Sequence, residues 1–258
     1  MASQQPIGVF DSGVGGLSVL RALLTELPRE DFVYFADTGH APYGERGDPF
    51  VIERSRSILE QLVREHHVKA LVVACNTATA AAIQLLRQAQ SGLPVIGVEP
   101  ALKPAAVLTR TGKVAVFATR GTLASSKFSA LRQSLGNEVD FILQPCDGLA
   151  AAIEANDAAE VRRLCERYAQ EAGRFGAGPG EIDTLVLGCT HYVFAQAVLA
   201  DVVGPDVRLV ETGQPVARQT RRMLEAGGLL HPPPGSGQVR LVTTGSEADL
   251  QAAARRWL

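Results

Sequence analysis

The chain has 258 residues, 46% of them hydrophobic and 20% charged, with Lys+Arg 25 against Asp+Glu 27 for a formal net charge of -2. That is ordinary globular composition, with length for one large domain or two smaller ones. A near-neutral chain lacks the basic field of a dedicated nucleic-acid binder, which sets nucleic acid aside as a partner. The N-terminus MASQQPIGVFDSG has no basic n-region and no apolar h-region. The longest uncharged stretch, 70–86, is broken by Asn76, Thr77, Thr79 and Gln84. Neither a signal peptide nor a membrane span is expected, and the reading is a cytoplasmic protein without a membrane partner.

In chain order, short apolar runs alternate with helical stretches. Strands are expected over 7–10, 32–36, 70–74, 95–98, 114–118, 141–143, 185–187, 207–210 and 240–243. Helices are expected over 17–27, 49–65, 77–90, 122–135, 158–172 and 215–226. Several strands are Val-rich without polar alternation, as in parallel sheets covered on both faces. The alternation predicts an α/β fold. The stretches 173–180 and 231–237, rich in Gly and Pro, read as surface loops.

Four cysteines, Cys75, Cys146, Cys165 and Cys189, are scattered with no CxxC pair, so a structural zinc site is not expected. One internal echo separates two of them from the rest. LVVACNT over 71–77 resembles LVLGCTH over 185–191. Each reads as a buried strand, then a small residue, then Cys, then amide or hydroxyl residues opening a helix. The echo predicts two similar α/β lobes, each a mainly parallel sheet flanked by helices, with a Cys at the carboxyl end of a strand. Ligands bind at that end in open α/β sheets. Cys146 and Cys165 lack this setting and read as packed core.

Other segments carry two readings. FDSGVGGLS over 10–18 is either a backbone anion cradle with Asp11 at its lip or a tight turn needing glycine. A dinucleotide fingerprint is only half present. Asp37 ends the second strand where a ribose-binding acid would sit, but Ser18 replaces the third glycine and Asp11 would repel a pyrophosphate. FADTGHAPYG over 35–44 is either a surface turn or a ligand-facing loop. His191 could position a thiol or simply satisfy a hydrogen bond. His66 and His67 read as capping or solvated. Arg221-Arg222 and Arg255-Arg256 read as solvated faces.

Two thiols on opposite lobes of one cleft suit a two-base reaction. One thiolate removes a Cα proton and the other thiol returns one to the opposite face. An amino-acid α-proton is very weakly acidic, so preorganised dipoles must support the developing carbanion. Pyridoxal phosphate would need a Schiff-base lysine, and Lys69, Lys103, Lys113 and Lys127 sit in no evident site motif. No cofactor is therefore expected. The rival is a two-lobed amino-acid-binding module whose cysteines merely pack.

At this point the residues resemble a known family. FDSGVGGLS, FADTGHAPYG, ACNT over 74–77, GVEPA over 97–101, ATRGT over 118–122, LGCTHY over 187–192 and ETG over 211–213 resemble, in order, the glutamate racemases of the aspartate/glutamate racemase superfamily. The resemblance implies cofactor-independent interconversion of L- and D-glutamate, supplying D-glutamate for peptidoglycan. It implies that Cys75 takes the proton from D-glutamate and Cys189 from L-glutamate, with Asp11 assisting Cys75, and His191 and Glu154 assisting Cys189. It implies substrate contacts from Asp11, Ser12, Pro42, Tyr43, Gly44, Asn76, Thr77, Thr119, Thr122, Thr190 and His191. One lobe would comprise 1–98 with 210–258 and the other 99–209, with the site in the cleft between them. Two positions depart from the family pattern: Asp147 and Val193 stand where proline is usual. Only six residues precede the first strand, so the activator dependence of members with an N-terminal extension is not expected. A homodimer is left open.

Overall fold

The computed structural model describes residues 2–232 and 236–258, so part of the expected loop 231–237 lies outside the described residues. In chain order the elements begin with β1 (Ile7–Asp11), α1 (Leu17–Glu26), β2 (Phe32–Ala36), α2 (Asp48–His66), β3 (Ala70–Val73), α3 (Asn76–Ala89) and β4 (Val95–Gly97). There follow α4 (Leu102–Leu108), β5 (Lys113–Ala118), α5 (Arg120–Ala124), α6 (Ser126–Gln133), β6 (Asp140–Pro145), α7 (Leu149–Glu154), α8 (Ala158–Ala172) and β7 (Thr184–Leu187). The chain closes with α9 (Gln196–Val203), β8 (Arg208–Val210), α10 (Gly213–Ala226), β9 (Val239–Thr243) and α11 (Glu247–Trp257). The chain divides into two compact units, Met1–Val98 with Gly213–Leu258, and Glu99–Thr212. Residues 210–212, expected with the first lobe, fall in the second unit because Val210 pairs with Val186 at a sheet edge.

The first unit holds a parallel sheet in the order β4-β3-β1-β2-β9. Every residue of β1, β2 and β3 is buried, as expected of strands covered on both faces. On one face α2 and α3 pack through Val51, Ile58, Leu59, Leu62, Ala82 and Ile83 onto Phe10, Val33, Phe35, Leu71 and Val73. The helix side chains recur at helical spacing, and each large one contributes on the order of 1.5–3 kcal/mol by burial. Elsewhere in this unit α1 packs against α10 and α11.

The second unit holds a parallel sheet in the order β6-β5-β7-β8. Leu102 and Ala105 of α4 and Phe128 of α6 pack on Val114, Val116, Phe141, Val186 and Val210. Numbering strands within each unit makes the echo a topology. Both sheets run second, first, third, fourth, and β9 is added at the edge of the first.

All nine expected strands form, with ends shifted by at most two residues. The expected helix over 122–135 is two helices. Ser125 adopts an extended conformation and its Oγ accepts from Phe128 N at 3.1 Å, ending α5 and capping α6. Helices α4, α7, α9 and α11 had no expectation. Arg221 is no free solvated side chain, because its Nε donates to Glu26 Oε1 at 2.6 Å and ties α10 to α1. His66 ends α2, and His67 closes it in the left-handed region at φ 50°. Cys146 and Cys165 are buried, as the packing reading expects. No helix among the described residues is long and apolar enough to cross a membrane.

At the amino ends of β2 and β3, Glu30 and Lys69 form a buried ion pair. Lys69 Nζ also donates to Ser3 O at 2.6 Å, and Glu30 Oε1 accepts from His231 N at 2.7 Å. Removing one partner strands the other charge. Lys69→Met is expected to cost about 3–5 kcal/mol in urea unfolding, and adding Glu30→Gln to recover much of that loss.

Candidate active site

Parallel strands bring all carboxyl ends of a sheet to one edge. Between its first and third strands each sheet reverses its order of growth, and ligands of open α/β sheets bind outside that point. The first unit places Asp11, the last residue of β1, and Cys75, two residues beyond β3, at this point. The second places Thr119, just after β5, and Cys189, two residues beyond β7, at the corresponding point.

In the first unit the turn after β1 does not form an open anion cradle. Asp11 Oδ2 accepts from Gly16 N at 2.7 Å and Gly13 N at 3.4 Å, so the turn's amides serve the protein's own buried carboxylate. Gly16 is required by close approach: a Cβ there would lie 2.7 Å from Asp11 Cβ and 3.1 Å from Ala74 Cβ. Tyr34 Oη donates to Gly13 O at 2.9 Å and Ser18 Oγ to Gly15 O at 2.8 Å, completing the turn.

Cys75 is the N-cap of α3. Its Sγ accepts from Ala78 N at 3.4 Å and lies 3.5 Å from Ser12 Oγ. A backbone N–H and the positive end of a 14-residue helix favour negative charge on that sulfur. Asn76 is buried, and its side-chain amide has no hydrogen-bond partner within the protein. Thr77 is buried beside it.

The loop after β2 is held by Asp37. Its carboxylate, 0% exposed, receives Arg54 Nε at 3.0 Å and Nη2 at 2.8 Å, Tyr43 Oη at 2.5 Å and Thr244 Oγ1 at 2.8 Å. His40 Nδ1 lies 2.9 Å away. Burial alone would raise this carboxyl, but Arg54, Tyr43 and Thr244 hold it below the usual carboxylate range. Burial and the Asp37 carboxylate push the Tyr43 phenol up, so it stays protonated. Tyr43 is buried in one cluster with Phe10 and Cys75, while Pro42 is exposed and Gly44 half-buried beside it. With Asp37 fully engaged, the ribose-binding role that would support a dinucleotide site has no acid to perform it.

The second thiol is held differently. Cys189 was expected to open a helix as Cys75 does, but a 3-10 helix, Thr190–Ala195, follows it and no side-chain cap forms. Instead Cys189 Sγ lies 3.6 Å from His191 Nδ1, and His191 Nε2 lies 2.7 Å from Glu154 Oε1 at the end of α7. Burial alone would push the imidazole down, but Cys189 and Glu154 hold it well above the usual histidine range. Gly188 lets β7 approach β5, since a Cβ there would lie 2.8 Å from Phe117 O. Thr119 Oγ1 donates to Thr122 Oγ1 at 3.0 Å and accepts from Thr122 N, and Thr190 is buried next to Cys189.

The expected residues thus gather in two sets: Asp11, Ser12, Tyr43, Cys75, Asn76 and Thr77 in one unit, and Thr119, Thr122, Glu154, Cys189, Thr190 and His191 in the other. Sequence reading missed Arg54 and Thr244, which hold Asp37 from α2 and from beyond β9. Long-range pairing leaves no local signature, and only the folded sheet brings them together. Among the described residues, no group of three or more His, Cys, Asp or Glu side chains could hold a metal ion.

The profile of the Asp/Glu/hydantoin racemase family matches residues 7–220. A glutamate racemase from Pseudomonas putida is 48% identical over 241 residues, covering 93% of this chain and 88% of that protein. One from Methylococcus capsulatus is 50% identical over 230 residues, covering 88% and 82%. A glutamate racemase structure from Bacillus anthracis superposes with a TM-score of 0.86 at 32% identity, covering 99% of this chain and 94% of that one. One from Francisella tularensis, in complex with D-glutamate, superposes with a TM-score of 0.84 at 26% identity, covering 99% and 94%. One from Escherichia coli, in complex with L-glutamate and the activator UDP-MurNAc-ala, gives 0.83 at 32% identity, covering 98% and 95%.

The Asp37 network sets a pH dependence. A carboxyl with a lowered native pKa contributes stability that is full above its unfolded value, about 4, and is lost as pH falls through the native value. Arg54→Leu is expected to cost about 2–3 kcal/mol at pH 7 in urea unfolding, with the gap to the parent narrowing below about pH 4 as the parent loses the stability that its ionised Asp37 contributes.

Proposed function

The chain belongs to the Asp/Glu/hydantoin racemase family, and we propose that it interconverts L- and D-glutamate without a cofactor, in the cytoplasm, as the source of D-glutamate for peptidoglycan. The observation that carries the reading is the repeated topology with one thiol after the third strand of each unit, in a chain this similar to glutamate racemases.

In the proposed reaction the Cys75 thiolate removes the Cα proton of D-glutamate, and the electron pair passes into the α-carboxylate. The Cys189 thiol donates its proton to the opposite face of Cα, giving L-glutamate. The reverse direction exchanges the two roles. The supports differ on the two sides. Ala78 N and Ser12 Oγ lie against the Cys75 sulfur, and Asp11 lies at the end of the adjacent strand. On the other side His191 stands 3.6 Å from the Cys189 sulfur and can hold the proton that leaves the thiol, with Glu154 stabilising the imidazolium. The unpartnered Asn76 amide, with Thr77, Thr119, Thr122 and Thr190, offers short polar groups for the substrate's carboxylates and ammonium. Ser12, Pro42, Tyr43 and Gly44 complete the proposed contacts.

Incubating L- or D-glutamate with the protein in D₂O is expected to deuterate Cα with loss of optical rotation, and no exchange from either enantiomer overturns the reading. Cys75→Ser and Cys189→Ser are each expected to lower racemisation by about 10²–10⁴-fold while glutamate binding persists. Unchanged turnover in either variant would overturn the two-thiol assignment.

A further inference from the structure

We propose that Tyr192 is a positioning residue for the Cys189 side of the reaction, holding the 3-10 helix Thr190–Ala195 and the segment from Cys146 to Glu154 at two points. The inference rests on the two-thiol reading above and adds to it a residue with no assigned role.

Tyr192 is 0% exposed, and its phenol donates to Cys146 O at 3.1 Å. The next residue back, His191, meets Glu154 at 2.7 Å. Neighbouring side chains of one 3-10 helix thus reach the two ends of one short segment, the turn after β6 and the last residue of α7. The two contacts close a ring through this segment that includes the His191–Glu154 pair.

The turn itself is firmly placed. Cys146 N donates to Ala118 O at 3.0 Å, Tyr168 Oη donates to Asp147 O, and Arg120 Nε donates to Asp147 Oδ2 at 2.7 Å. Of the side chains bonded to the turn, Tyr192 is the one that shares an element with His191. The titratable groups facing His191 and Tyr192 are Cys189 beside them, Glu154 on α7, Cys146 and Asp147 on the turn, and Tyr168 on α8.

The two enantiomers have equal free energy in water, so kcat/KM is the same in both directions for any variant. Discriminating readouts are therefore the pH profile and the isotope effect on kcat in each direction. Tyr192→Phe keeps the ring, and Leu149 N still approaches Cys146 O at 3.4 Å, so the variant is expected to fold. Its kcat is expected to fall about tenfold. With Glu154 less well placed, the imidazole loses one of the two groups that hold it up, so the alkaline limb of the rate profile moves to lower pH. The deuterium effect grows for L-[2-²H]glutamate and not for D-[2-²H]glutamate. In a Glu154→Gln background, Tyr192→Phe is expected to add less than about a twofold loss. An unmoved alkaline limb with unchanged isotope effects, or losses that multiply in the double variant, overturns the proposal even if Tyr192→Phe lowers the melting temperature. If the parent protein exchanges no Cα proton, the proposed function itself fails; if it exchanges and the variant is unmoved, only the positioning role of Tyr192 fails.

Discussion

A parallel sheet forces its chain to return to the same starting edge before each new strand, so every strand ends at one rim. In both units the chain lays its second strand on one side of the first and its third on the other. The ends of the first and third strands then lie side by side, with no strand crossing between them. The placing of both cysteines hangs on that adjacency. It sets Asp11 and Ser12 against Cys75, and Thr119 beside Cys189. It also bears on the small residues preceding each cysteine, since Ala74 lies against the Gly16 turn and a Cβ on Gly188 would lie 2.8 Å from Phe117 O.

Similar topology has not produced similar surroundings for the two sulfurs. Cys75 meets a helix amide and a serine hydroxyl, with the Asp11 carboxylate at the end of the adjacent strand. Cys189 meets an imidazole backed by a carboxylate, a pair that gains and loses a proton. The two thiols are therefore held by different groups, a helix amide and a hydroxyl on one side and an imidazole–carboxylate pair on the other. A reaction that passes a proton through each thiol in turn would feel the two sides differently with pH.

Several strands were legible because burial on both faces writes them as Val- and Leu-rich runs, as in β3 and β7. The repeat was legible because two such runs end in the same small-residue–Cys pattern. The families of contact that define the site were less so. The Asp11 turn reads in sequence as an anion cradle, since glycine spacing does not reveal that the preceding carboxylate folds back onto its amides. The setting of Cys189 is hidden in a similar way: a 3-10 helix follows it, and its His191 and Tyr192 meet partners on α7 and in the turn after β6, which lie far away in sequence. Glu154 came from resemblance alone, and Arg54, Thr244 and Tyr192 required the fold. Short helices such as α4 and α7 offer too few turns for a periodic pattern to emerge.

The first unit is interrupted in sequence, and the second occupies the gap between Val98 and Gly213. On the ribosome the inserted unit is therefore complete while its host still lacks α10, α11 and the edge strand β9. At about 5–20 residues per second, α1 waits on the order of ten seconds for α10 to cover it, and Asp37 waits longer still for Thr244. The portion made first is thus the portion finished last. Until α10 and α11 emerge, the side of α1 that packs on them lacks its cover.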